Sequence, residues 1–125
     1  MTLLLDTHAL LWWLADDGAL GSRARDAIGD PHRVVHVSAA SAWEIAIKGA
    51  IGKLNLKDTV EDIVARNRFL PLPVTIRHGD LLRDLPRHHS DPFDRLLIVQ
   101  ALEAGLTILT SDRAFEPYRV PVVWA

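Results

Sequence analysis

Residues 91–112 read DPFDRLLIVQALEAGLTILTSD, from Asp91 to Asp112, and this stretch decides the fold. Pro92 directly after an aspartate is a strong helix start, because proline at the first helical position forfeits no hydrogen bond and the Asp91 carboxylate caps free amides. Apolar residues continue to Ala104, and Gly105 then ends the helix in the usual C-terminal manner. Residues 106–109 form an apolar run of strand length, with Thr110-Ser111-Asp112 at its carboxyl end. A helix that feeds straight into a buried strand is half of a βαβ unit, the crossover that builds parallel sheets.

The same alternation extends to both ends of the chain. Leu3-Leu4-Leu5-Asp6 reads as a first strand, followed by a helix over 7–15 in which Leu10, Leu11, Trp13 and Leu14 keep near-helical spacing until Asp16-Asp17-Gly18. Ser22 is expected to cap a short helix carrying Ala24, Ala27 and Ile28, broken by Gly29-Asp30-Pro31. Residues 34–37 give a second strand, and Ser38 or Ser41 caps a long helix reaching Gly49 or Ile51. Another helix covers 59–67, and Pro71 and Pro73 flank a short extended piece. Residues 76–85 are helical up to Pro86. The polar loop Arg87-His88-His89-Ser90 leads into Asp91, and 120–124 supplies a last strand. The expected fold is a single α/β domain over 1–125 with a central, mainly parallel sheet.

Composition bounds the chemistry. The chain has 125 residues, 49% of them apolar, with a formal net charge of −2 and no cysteine. Disulfides, thiolate zinc sites and cysteine nucleophiles are therefore excluded. No apolar run approaches the roughly 18 residues of a membrane helix, and the opening leucines lack the basic leader of a signal peptide, so a cytoplasmic protein is expected. The charge argues against gripping nucleic acid by overall field, but not against cutting it. Eleven of the fourteen basic residues are arginine, a residue type suited to phosphate. Trp12 and Trp13 are about 100° apart on their helix and are read as core packing over a broad face.

Four acids stand where a strand ends or a helix begins: Asp6, Glu44, Asp94 and Asp112. Each has an ordinary structural explanation. Asp6 and Asp112 suit helix caps. Glu44 could join Ser41 in a capping box or pair with Lys48, although its helix is apolar on almost every side. Asp94 suits the positive end of its helix by about 0.3–1 kcal/mol. In an open parallel sheet, however, the carboxyl ends of the strands share one edge, where ligands bind. Gathered there, carboxylates about 4 Å apart would repel by roughly 4 kcal/mol at an effective dielectric near 20, which calls for a cation. Hard oxygen donors without cysteine favour Mg²⁺, with Mn²⁺ as a substitute. His88 and His89, in a polar loop, are read as facing solvent.

Leu3 to His8, the serine-rich entry at Ser38 to Lys48, the run from His89 through Asp91-Pro92-Phe93-Asp94-Arg95-Leu96-Leu97 to Ala101, and Thr110-Ser111-Asp112 together resemble the PIN-domain ribonucleases, and within them the VapC toxins of toxin–antitoxin pairs. The resemblance runs end to end. It implies a PIN-like three-layer α/β/α sandwich and metal-binding, catalytic roles for Asp6, Glu44, Asp94 and Asp112. It further implies an RNA substrate, a homodimer and inhibition by a VapB-type antitoxin. Thr7 and Ser111 are expected to orient the carboxylates or a water, and Arg95 and Arg87 to contact phosphate. A PIN scaffold that binds RNA or antitoxin without cutting is the alternative. Aspartyl-phosphate phosphatases fit less well, since their second aspartate would fall where His8 stands, and the acidic pair of a receiver domain is missing.

Overall fold

The computed structural model describes residues 1–52 and 56–125. Five strands, β1 (Leu3–Leu5), β2 (Val35–Ser38), β3 (Leu70–Leu72), β4 (Thr107–Thr110) and β5 (Val122–Trp124), form one sheet in the order β3-β2-β1-β4-β5. Every pairing is parallel. Helices α1 (Thr7–Ala15), α2 (Ser22–Gly29), α3 (Ala39–Ala50), α4 (Val60–Arg66), α5 (Ile76–Leu81) and α6 (Pro92–Ala104) make the connections.

Alternation within the strands divides the core in two. Leu3 and Leu5 point to one face, where they meet Ala9 and Leu10 of α1, Ala24 and Ile28 of α2, and Ile63 and Val64 of α4. Leu4 points to the other face and packs with Leu97, Ile98 and Ala101 of α6 and with Phe115 and Tyr118. A sheet covered on both faces explains why β1 can be three leucines in a row, all fully buried. Each such side chain contributes roughly 1.5–3 kcal/mol. The result is a three-layer α/β/α sandwich. Trp12 and Trp13 are half-buried against the first core, and the Trp13 indole donates to Asn67 Oδ1 at 3.1 Å.

Several boundaries differ from those expected, each for a local reason. The cap of α2 is Gly21 rather than Ser22. Of the two serines expected as the cap of α3, Ser38 takes the place as expected, by accepting from the Ala40 amide. The 76–85 helix is α5 followed by a 3₁₀ turn over Leu82–Asp84. Strand β3 contains Pro71, which an edge strand tolerates because one side of it makes no ladder. The end of β2 and the whole of β4 sit one residue later than expected, since register pairs Ser38 with Leu72 and Leu5 with Leu109. A 3₁₀ segment covers Arg113–Tyr118, with Pro117 inside it. Among the described residues no helix is long and apolar enough to cross a membrane.

The chain builds outward from β1 to β2 and β3 on one side, then returns to add β4 and β5 on the other. Beyond the carboxyl ends of β1 and β4 lies the crevice that such a reversal of strand order creates.

Candidate metal centre

Asp6 leaves β1 at this crevice and caps α1. One oxygen accepts from the Ala9 amide at 2.8 Å and the other from Thr110 Oγ1 at 2.5 Å. It is therefore a helix cap and a buried carboxylate at the crevice at once, only 4% exposed. Burial pushes its pKa up, partly offset by the Thr110 and Ala9 bonds.

Thr110 ends β4 beside it and also accepts from the Asp112 amide at 3.0 Å, joining the two strand-end acids through one hydroxyl. Ser111, expected in that supporting place, is exposed; the one-residue shift of β4 puts Thr110 there instead. Asp112 itself is exposed and caps the 3₁₀ segment through the Ala114 amide.

Glu44 projects from α3 and is 6% exposed. Thr7, expected to orient a carboxylate, donates to its Oε1 at 2.6 Å, and Lys48 one turn on reaches its Oε2 at 2.8 Å. The Lys48 pair exists, but Glu44 is buried within it, while the Ser41 capping box does not form. Nor is α3 covered on every side: Trp43 and Ile47 on the helix, and Ile51 just past its end, stand exposed at four-residue intervals.

Asp94 lies in the first turn of α6, whose cap Asp91 accepts from the Phe93 and Asp94 amides. Its pKa is pushed up to about 8, first by burial and then by the negative charges of Asp91, Asp6, Asp112 and Glu44. The charges of Asp6, Glu44 and Asp112, with that of Asp91, therefore act together on Asp94. A helix dipole worth about 0.3–1 kcal/mol would lower the value, so repulsion and desolvation win.

Among the described residues no three His, Asp or Glu side chains converge as a ready-made ion cage. The donor set still fits a hard divalent cation. Asp94 is a half-buried carboxylate whose surroundings are mostly anionic, and a cation at this edge would offset the repulsion among Asp6, Glu44, Asp94 and Asp112.

Two further expectations change. His89 does not face solvent: its ring lies between Tyr118, with Nδ1 2.9 Å from the phenolic oxygen, and Asp94, with Nε2 3.4 Å from Oδ2. Arg95, expected at phosphate, is turned to the protein, donating to Pro86 O at 2.8 Å, Leu85 O at 3.2 Å and the Tyr118 hydroxyl at 3.1 Å. Arg87 remains exposed, on a cleft of about 390 Å³ that it shares with Arg83, His89 and Ser90.

A parallel sheet with an acidic crevice at its switch point defines an α/β protein whose site is built from carboxylates. The PIN domain family model matches residues 3–120, and the chain belongs to that family. Ribonuclease VapC22 of Mycobacterium tuberculosis is 31% identical over 133 residues, spanning 98% of each chain. Among solved structures, VapBC2 from Rickettsia felis bound to a DNA fragment from their promoter aligns with a TM-score of 0.72 at 11% identity, over 98% of this chain and 96% of that one. VapBC-1 from nontypeable Haemophilus influenzae aligns with a TM-score of 0.65 at 16% identity, over 99% and 98% of the chains. At such identities these structures speak for the fold alone.

Proposed function

We propose that this chain is a metal-dependent endoribonuclease, the toxin of a type II toxin–antitoxin pair, held inactive by a VapB-type antitoxin. The observation that carries the reading is the arrival of Asp6, Glu44, Asp94 and Asp112, from four segments of the chain, at one sheet edge where their charges act on one another. Full-length kinship with a protein named as a ribonuclease, and a fold shared with VapBC complexes, support it.

Asp6 and Asp94 are the direct ligands in this reading, with Glu44 and Asp112 completing the site directly or through water. Bound there, Mg²⁺, or Mn²⁺ in its place, would supply water activation and neutralise charge developing on the scissile phosphate. The chain's own work is to hold the donors. Thr110 fixes Asp6 and Thr7 fixes Glu44, so neither carboxylate has to be ordered when substrate arrives. Lys48 balances Glu44 and would have to release Oε2 before that oxygen could serve a cation. In this reading Arg87, exposed on the cleft that His89 also lines, would meet a flanking phosphate. The exposed Trp43, Ile47 and Ile51 stripe beside the site supports a homodimer through α3.

The test is cleavage of a total tRNA and rRNA pool by antitoxin-free protein with Mg²⁺ or Mn²⁺, with the new ends sequenced. Metal-dependent cuts by the wild type and none by Asp94→Asn are expected. No cleavage with either metal, or an equally active Asp94→Asn, would overturn the mechanism.

A further inference from the structure

We infer that His89 is a positioning residue for Asp94, held in one tautomer by the buried hydroxyl of Tyr118. The inference rests on the metal-site reading of Asp94 given above.

The hydrogen-bond count at Tyr118 carries the argument. Three N–H groups point at its phenolic oxygen, the His88 amide at 3.2 Å, the His89 amide at 3.1 Å and the Arg95 guanidinium at 3.1 Å, and they share its two lone pairs, leaving no acceptor capacity for a fourth donor. All three are obligate donors, so none can take the phenol's single proton. The remaining polar neighbour is His89 Nδ1 at 2.9 Å, which must therefore accept it. In a neutral imidazole an accepting Nδ1 puts the ring proton on Nε2. Nε2 is the nitrogen that faces Asp94 Oδ2.

Packing keeps this arrangement in register. The His89 ring sits 5.3 Å from the Tyr118 ring and 6.3 Å from Phe115, while Arg95 ties Leu85 and Pro86 to α6. Arg95 and Tyr118 thus build a frame, and His89 is the group through which the frame reaches the acids. At 3.4 Å the Nε2 contact is longer than the usual 2.7–3.2 Å. In the metal-site reading, an Nε2–H bond to Oδ2 would hold that oxygen and leave the other carboxylate oxygen to a cation. Ligand carboxylates held by such partners commonly lose about 10- to 100-fold in metal affinity when the partner is removed.

The experiment combines long-range ¹⁵N–¹H spectra of the histidines in the metal-free full chain with calorimetric titration of Mn²⁺, the probe ion. The His89 signal is assigned by its loss in His89→Gln. The wild type is expected to show the Nε2–H tautomer, and Tyr118→Phe a mixture. His89→Ala is expected to bind Mn²⁺ at least about tenfold more weakly. His89→Gln, whose amide nitrogen can stand in for Nε2, should recover most of that loss, and both variants keep the backbone-amide and Arg95 bonds to the Tyr118 hydroxyl. An Nδ1–H or mixed signal in the wild type, or a His89→Gln protein as weak as His89→Ala, would overturn the inference. No Mn²⁺ binding by the wild type would instead overturn the metal-site reading, whereas wild-type binding that His89→Ala leaves unchanged would sink only the role of His89.

Discussion

Glu44 on α3 and Asp94 on α6 approach the same strand ends from two helices, and they are treated oppositely by their surroundings. Glu44 is the more deeply buried, yet Lys48 supplies a cation and Thr7 a hydroxyl, so both oxygens are occupied within the protein. Asp94 meets four acids and one long contact from His89, and its pKa climbs to about 8. The contrast separates a carboxylate compensated by its own fold from one that the fold leaves to a proton or, in the proposed function, to a cation. It teaches that burial alone does not mark a reactive carboxylate. The decisive quantity is whether the fold has already supplied the opposite charge.

The comparison breaks most visibly in function. Replacing Asp94 by Asn should lower RNA cleavage by more than about a hundredfold, beyond what losing an outer partner costs. In the metal-free protein above pH 8, the same change should raise the melting temperature, because it removes an uncompensated charge. Glu44→Gln should lower both activity and melting temperature, since it strands Lys48 and weakens the Thr7 bond. Melting scans and cleavage rates on the two variants check this, and stability losses of equal size in both would erase the distinction.

A smaller effect tests the Lys48 side of the pair. Lys48→Met should destabilise the protein by about 1–3 kcal/mol, the range for a buried polar group losing its partner, with half-exposure of the lysine favouring the low end. Lys48→Met combined with Glu44→Gln should recover part of this in urea unfolding. A neutral Lys48→Met would show that Glu44 needs no internal cation.

The pH dependence of stability sharpens the Asp94 side. Its folded pKa of about 8 lies above its usual carboxylate value near 3.8, so between those limits the native state holds a proton that the unfolded chain has lost. Stability of the metal-free protein must therefore fall as pH rises through that window. The raised Asp6 adds in the same direction. Asp94→Asn should flatten the slope, and Mn²⁺ should restore stability most at the alkaline end, where proton and cation no longer compete. The smallest change expected is for Thr110→Ser, which keeps the hydroxyl on Asp6 and should melt within a few degrees of wild type, whereas Thr110→Val should not.

The four acids were legible because their positions follow from local rules. Hydrophobic periodicity locates strand ends, and parallel pairing carries Asp6 and Asp112 to one edge, while Glu44 and Asp94 sit on helices read as packing beside that edge. What surrounds them depended on register and loop path, which local patterns do not encode. Thr110 replaced Ser111 because β4 lies one residue later than its apolar run suggested, and side chains alternate along a strand. The inward turn of His89 requires Tyr118, 29 residues away, and Arg95 was claimed by the carbonyls of Leu85 and Pro86, nine or ten residues upstream. Arginine-rich sequence near an acid suggested phosphate contact; backbone carbonyls left unpaired by a tight loop took the guanidinium instead.

The central claim, that these carboxylates form one cation site, is tested most directly by the anomalous scattering of Mn²⁺ diffused into crystals of the wild-type protein. The account predicts a peak at the carboxyl ends of β1 and β4, within bonding distance of Asp6 and Asp94, and its loss in Asp94→Asn. A peak elsewhere on the molecule, or one that survives unchanged in Asp94→Asn, would contradict it.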